Sequence, residues 1–383
     1  MKNLLMLTFY IWILPLFAQK TIQIRHLDGK KIDAVILEQR LTRLVDSAKI
    51  SGLQVVIVNR NKIVYSSSFG FKDVENKQNL NDSTVMYAAS LTKPVSAYIF
   101  MRLMEKGIFS LDQPIYKYLK KPIAEYPKWR DLADDSAAFN RITLRMLLSH
   151  SSGLPVLRQL YDNKVHLIAR PGEKFYYSNE GINLLGFIIE EFTGKKLEVI
   201  AREEIFGPLQ MGHTGMIWEK AFENNFSYAY FKDGSKYGSE RRESSRAAGS
   251  MSTTANDYAR FMINLMQKKG LSGSGYRQMF RPQIMVKSRH GFGPLKDSIT
   301  NENDSIQLAW GLGVGLFKSP FGRAFFHTGH GEANQNYAVA YPKAGTAVIL
   351  LSNSENFEKS NAQILKLCIG DAYSPLRWLG HLD

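Results

Sequence analysis

"YAASLTKPVSAYIF" (87–100) sets Ser90 three residues before Lys93, with Pro94 directly after. Residues three apart on a helix share a face. Proline suits only the first turn of a helix, so Ser90 stands at or just before a helix start. The helix is expected over residues 90–106, closed by Gly107. A serine there has its oxygen near the positive end of the helix dipole, which favours a developing alkoxide. Lys93 could take its proton only if burial or a nearby cation lowers the lysine pKa, at about 1.4 kcal/mol per unit. On its own, Ser-x-x-Lys is a weak signal that arises often by chance, and a capping serine with a solvated lysine explains it more simply.

Two further stretches bear on the question. In "PGEKFYYSNEGINLLG", Tyr177 and Asn179 flank Ser178. Side chains at i and i+2 of an extended segment point the same way. A tyrosine could share a proton with a lysine, and an asparagine amide could hold both a lysine and a substrate carbonyl. In "FFHTGHG", His327, Thr328 and Gly329 end an apolar strand. Thr328 is expected to project toward a ligand. Gly329, lacking a side chain, would let a substrate backbone approach the strand edge.

In this order the three pieces resemble the signature of the serine β-lactamase and penicillin-binding protein superfamily: Ser-x-x-Lys, Tyr-x-Asn, then Lys/His-Thr-Gly. "ITLRMLLSHSSGLP" (142–155), residues 177–214 and "AAGSMSTTANDYARFM" (247–262) look like other segments of its class C-like branch, and the resemblance spans about residues 45–356. It implies an α+β fold of the β-lactamase/transpeptidase type, an antiparallel sheet flanked by helices with a largely helical subdomain. It implies Ser90 as the acylated nucleophile, Lys93 as its proton acceptor and Tyr177 as partner base or acid. Asn179 would orient Lys93 and the substrate amide, and His327, Thr328 and Gly329 would bind substrate. The backbone N–H groups of Ser90 and His330 would form the oxyanion hole, and no metal or other cofactor is implied.

The third motif carries His327 where class C β-lactamases carry lysine. A neutral histidine would not hold a β-lactam carboxylate as a fixed charge does. The His-Thr-Gly form is similar to D-alanyl-D-alanine carboxypeptidases, D-aminopeptidases and family esterases. The expected substrate is therefore a D-amino-acid peptide, cell-wall peptide or related small amide or ester. A class C-like β-lactamase or carboxylesterase is one alternative, and a slowly deacylating penicillin-binding or sensor protein is another. His150 raises a Ser-His-Asp rival, but no Gly-x-Ser-x-Gly pentapeptide occurs, so His150 reads as structural. His327 and His330 stand three apart with no third ligand in sequence, which argues against a metal pair.

The rest of the chain fits one unit. Residues 33–49 have helical spacing of Val35, Ile36, Leu41, Leu44 and Val45. Residues 53–70 read as a β-hairpin turning at 59–62. Ile182, Leu185, Ile189 and Phe192 mark an amphipathic helix before Gly194, and "LAWGLGVGLF", "RAFFHTG", "YAVAYP" and "TAVILLSN" read as successive strands. A short helix around 360–368 ends the fold. Strands at both ends of the chain must pair, giving a sheet region from 50–89 plus 307–356 and a helical region from 90–300. Residues 271–306 read as an irregular surface excursion.

The 383 residues suffice for a large core. The net charge of +14, from 49 basic against 35 acidic residues, is scattered without long runs. With no zinc spacing, phosphate-binding glycine loop or aromatic-basic stripe, nucleic acid is not an expected partner. The sequence leaves the oligomeric state open. Lys2, an apolar run from Leu4 to Phe17 and Ala18 have the layout of a secretory signal peptide over 1–18, with residues 19–383 as the mature hydrolase. The expectation is an exported protein, periplasmic or secreted, with no membrane span once the signal is removed. The single cysteine, Cys368, reads as a buried thiol.

Overall fold

A computed structural model describes residues 22–382; the expected signal peptide lies outside them. In chain order the elements used below are helix α1 (Ala34–Ser47), strands β1 (Gly52–Asn59), β2 (Lys62–Asp73) and β3 (Gln78–Asn79), and helices α2 (Thr92–Glu105), α3 (Asn179–Thr193) and α4 (Ala255–Met266). Then come strands β4 (Ile284–Met285), β5 (Ala309–Trp310), β6 (Gly315–Ser319), β7 (Gly322–His330), β8 (Gln335–Tyr341) and β9 (Thr346–Ser352), and helix α5 (Asn361–Ile369).

The β1–β2 hairpin turns through Arg60 and Asn61, both left-handed at φ 51° and 57°, the backbone of a type I′ turn that matches strand twist. Every residue of β1 is buried. Its side chains alternate between two cores: Leu53, Val55 and Ile57 join the α1 and α5 side, while Val56 and Val58 join the α2 and α4 side. At roughly 1.5–3 kcal/mol per fully buried aliphatic side chain, a one-residue slip would be costly on both faces at once.

The nine strands run in the order β4-β5-β6-β7-β8-β9-β1-β2-β3, and every pairing is antiparallel. The C-terminal β9 lies beside the N-terminal β1, with Ile349 opposite Val56. The expectation that the two ends of the chain share one sheet is met. Gln54 is the polar exception in β1: Nε2 donates to the carbonyls of Asn81 and Thr84 at 2.8 and 2.9 Å, and Oε1 accepts from Ala255 N at 2.8 Å. It ties the start of α4 to the sheet.

Two readings need correction. "LAWGLGVGLF" is not one strand but β5 and β6 joined by a tight turn in which Gly311 N donates to Val314 O. Gly313 in that turn has φ 77°, and a Cβ there would lie 2.2 Å from Ala97 Cβ of α2. Residues 271–306 are not a mere surface excursion: they include the helix Gly273–Phe280 and β4, and Phe292 reaches the cavity described next. Cys368 is a free, buried thiol as expected. Among the described residues no helix is long and apolar enough to cross a membrane.

Candidate active site

Ser90 sits in a 3-10 turn, Ala89–Leu91, that leads directly into α2. Ala89 holds a left-handed φ of 48°, a strained conformation for a residue with a side chain. The surroundings enforce it. Ala88 N donates to Met251 O at 2.9 Å and Met251 N to Thr92 Oγ1 at 3.1 Å, so the 247–251 segment wraps the head of the helix. Ser96 Oγ donates to Ala247 O from one turn further on.

Lys93 is completely buried. Its Nζ lies 2.8 Å from Ser90 Oγ and donates to Ala248 O at 2.7 Å. Burial holds the lysine pKa well below its ordinary value, because an unpaired ammonium is expensive away from water. Once neutral, the amine can accept from the serine hydroxyl. The lysine is thus not the solvated one of a plain capping turn: it is buried against the serine one turn away.

Tyr177 stacks its ring 4.8 Å from Lys93 Nζ. Its hydroxyl faces Ser90 at the margin of hydrogen-bond geometry and has no well-formed partner. Burial pushes the phenol pKa up, opposed by Ser90. The 176–178 backbone is held by His150, whose carbonyl accepts from Tyr176 N at 2.7 Å and whose Nδ1 accepts from Ser178 N at 3.0 Å. With Nδ1 accepting, the proton of the neutral ring is on Nε2, and the ring packs 4.4 Å from that of Tyr177. His150 is thus structural, as its sequence context indicates. Ser178 caps α3 by accepting from Gly181 N at 2.8 Å, which turns Asn179 into the same cavity as Tyr177. The Asn179 amide oxygen has no partner, and Lys93 binds the Ala248 carbonyl rather than this amide.

A cavity of about 300 Å³ brings these groups together. Ser90, Tyr177, Asn179, Thr328 and His330 line it alongside Val156, Leu157, Phe292 and Leu379, with Glu358 and His381 completing the wall. A larger cavity, about 750 Å³, lies against α4 and the far end of β7, and none of these motif residues lines it.

His327 is not on that wall, against expectation. Strand alternation gives Thr328 and His330 to the rim region, while His327 is 2% exposed, 5.6 Å from the Trp310 ring and 6.2 Å from that of Tyr177. Burial lowers its pKa to about 3, so the ring is neutral. Gly329 also has a different explanation. A Cβ there would lie 2.4 Å from Ala88 O, so the backbone that approaches this glycine is the protein's own turn before Ser90.

The register of β7 decides where its N–H groups point. Gly331 N donates to Asn334 O, and the pairing runs without a break through His330–Gln335 and Gly329–Asn336. Hydrogen-bonded and non-hydrogen-bonded pairs alternate, so His330 falls in a non-hydrogen-bonded pair and its N–H points away from β8. On that side β6 has already ended opposite Phe326. This orientation suits the oxyanion-hole role implied for His330.

A family model described as Beta-lactamase matches residues 37–367. The chain belongs to the beta-lactamase family. Its members include serine hydrolases and penicillin-binding proteins. The chain is 24% identical over 348 residues to Penicillin-binding protein 4* of Bacillus subtilis, covering 82% of this chain and 70% of that one. It is 25% identical over 239 residues to Beta-lactamase of Escherichia coli, 59% of each. It is 26% identical over 183 residues to Protein flp of Staphylococcus aureus, 43% of this chain and 34% of the relative, so the match spans about a third of that protein. In structure it resembles the octameric penicillin-binding protein homologue from Pyrococcus abyssi, with TM-score 0.69, 22% identity, and coverage of 85% of this chain and 74% of that one. The corresponding figures for D-alanine Carboxypeptidase AmpC from Burkholderia cenocepacia are 0.68, 18%, 87% and 99%. These likenesses establish the fold.

Sequence reading missed Glu358, His381, Leu379 and Phe292 of this cavity. Glu358 and His381 carry no motif, and only the folding of the C-terminal segment back across the sheet brings them to Ser90.

Proposed function

We propose that this protein is an exported serine hydrolase that works through an acyl-enzyme on Ser90, with D-amino-acid peptides or related amides and esters as substrates. The observation that carries the reading is the 2.8 Å contact between Ser90 Oγ and the fully buried Lys93 Nζ. Lys93, neutral at rest, takes the hydroxyl proton as Ser90 attacks the substrate carbonyl. The N–H groups of Ser90 and His330 stabilise the tetrahedral oxyanion, each such donor being worth ~3 kcal/mol. Tyr177, one ring away from Lys93, passes the proton to the leaving group. Water then hydrolyses the acyl-enzyme with the same groups in reverse. Thr328 and Asn179 offer hydrogen bonds to the substrate's main chain. Export rests on the layout of residues 1–18.

Within this class β-lactamase activity is the weaker alternative, because His327 is buried and neutral where a fixed cation would bind the β-lactam carboxylate. The test is intact-protein mass spectrometry with a penicillin, followed by peptide mapping and a panel of D-peptides and short-chain esters. An adduct on the Ser90 peptide, absent from Ser90→Ala, supports the reading; ester and peptide turnover that survives Ser90→Ala overturns it.

A further inference from the structure

The cavity of about 750 Å³ lies at the end of β7 opposite to Ser90, and its size is that of a small-molecule site. Its floor is apolar. Met266 at the end of α4, Leu316 of β6 and Phe325 of β7 are buried there, and Phe280 closes one side. Phe280 is held between two rings, stacked on Tyr276 at 6.1 Å and tilted against Phe325 at 4.9 Å. The floor is recessed: none of these side chains is among the exposed hydrophobic residues.

The rim is cationic. Lys268, Arg277, Arg281 and Arg323 line the cavity and are all exposed, and no aspartate or glutamate lines it. The Arg277 guanidinium reaches back along the wall, 3.5 Å from where a Cβ of Gly273 would stand. Among the described residues none of the four cations has an ion-pair partner or donates a side-chain hydrogen bond to the protein. Two acids near the helix Gly273–Phe280 are committed elsewhere. Asp112 feels Arg281, but Arg145 holds both its oxygens, at 2.6 and 2.7 Å, and is the main cause of its lowered pKa. Glu105 accepts from the N–H and the hydroxyl of Ser272, at 2.9 and 2.5 Å.

Four like charges around one hollow repel one another, and an anion seated among them relieves that repulsion. The planar guanidinium fork matches a carboxylate well. A flat bilayer or a flat protein face would reach the cations and miss the recessed floor. A single chain that enters the hollow reaches both. We propose that this cavity binds a single-chain anionic amphiphile, a long-chain fatty acid, with its alkyl chain on the Phe280–Phe325 floor and its carboxylate among the rim cations. The site is separate from the Ser90 cavity and does not depend on the acyl-enzyme reading.

The experiment is calorimetric titration of the protein with dodecanoate below its micelle concentration. Wild type and Ser90→Ala should bind it equally well. Shorter acids should bind more weakly, by up to ~4-fold for each methylene removed. Dodecanol, with the chain and no charge, should bind ~10-fold or more weakly than dodecanoate. The double variant Arg277→Gln/Arg323→Gln should lose ~10-fold or more for dodecanoate and little for dodecanol. Ser274→Trp, at an exposed position on the wall, should block entry of both. Melting temperatures without ligand report whether these variants fold; where one falls, the chain-length series and the dodecanol comparison on the wild type decide. No binding of dodecanoate, equal affinity for dodecanol, or full affinity in both folded variants overturns the site. Binding to phosphatidylglycerol vesicles by a protein that ignores monomeric dodecanoate also overturns it, in favour of a membrane-facing patch.

Discussion

Tyr177 carries a hydroxyl buried without a well-formed partner, an arrangement that costs stability unless a reaction uses it. Tyr177→Phe should therefore slow turnover of a short-chain ester by ~10²-fold or more, while the melting temperature stays level or rises. A falling melting temperature with unchanged kcat would make the tyrosine structural. Lys93→Ala should slow acylation of Ser90 by ~10²–10⁴-fold, read as the rate at which the adduct appears on the Ser90 peptide, with circular dichroism unchanged; acylation at the wild-type rate would remove Lys93 from the mechanism. These residues were legible because their spacing is local. Ser90 and Lys93 share one helical turn, and Tyr177 and Asn179 straddle one residue. The burial that lowers the Lys93 pKa was not legible, since it depends on Ala247 and Ala248, more than 150 positions away.

Strand β7 carries both a buried histidine and the glycine under the nucleophile turn. Gly329→Ala would push a Cβ into the Ala88 carbonyl. A displacement of the turn by a fraction of an ångström up to about 1 Å should lower kcat/KM by as much as ~10²-fold, with a smaller effect on stability; full activity would show that the turn yields freely. His327 gives a pH dependence. Its folded pKa of about 3 lies below the unfolded value near ~6.5, so between these the unfolded chain binds the extra proton and stability falls as pH falls. The loss is on the order of 5 kcal/mol across that window. Glu358, depressed to about 2, adds stability above an unfolded value near ~4.3 that is lost as pH drops further. Melting temperatures at pH 7, 5 and 4 should decline steadily, and His327→Asn should flatten the upper part of that decline. The β1–β2 hairpin was readable from its own residues, as were the body of β7 and the existence of α2 and α3. Which way His327 points was not, because a strand end read alone does not say which of its two faces meets the cavity.

Across the whole molecule, Gln54 joins the sheet to the helical region through three hydrogen bonds. Gln54→Leu would leave the Thr84 carbonyl and the Ala255 N–H without that partner, while the Asn81 carbonyl keeps its bond from Thr84 N, at about 2 kcal/mol or more, measurable as a lower urea midpoint; an unchanged midpoint would mean that the two regions hold together without it. That the strands at the two ends of the chain must pair was evident from their order. The contribution of residues 376–381 to the cavity was not, since it arises from a return of the chain that no pattern in the segment marks. The pairing of β9 with β1 has a consequence in time. Contacts between residues some 290 positions apart form late and slowly, and synthesis delivers the N-terminal half first. A nascent chain that has made Ser90 and Lys93 still lacks Thr328, the His330 N–H and the strand that seats them. Hydrolysis can begin only after nearly the whole polypeptide has emerged and closed on itself, so the appearance of activity in a refolding or translation time course would mark the last folding event rather than the first.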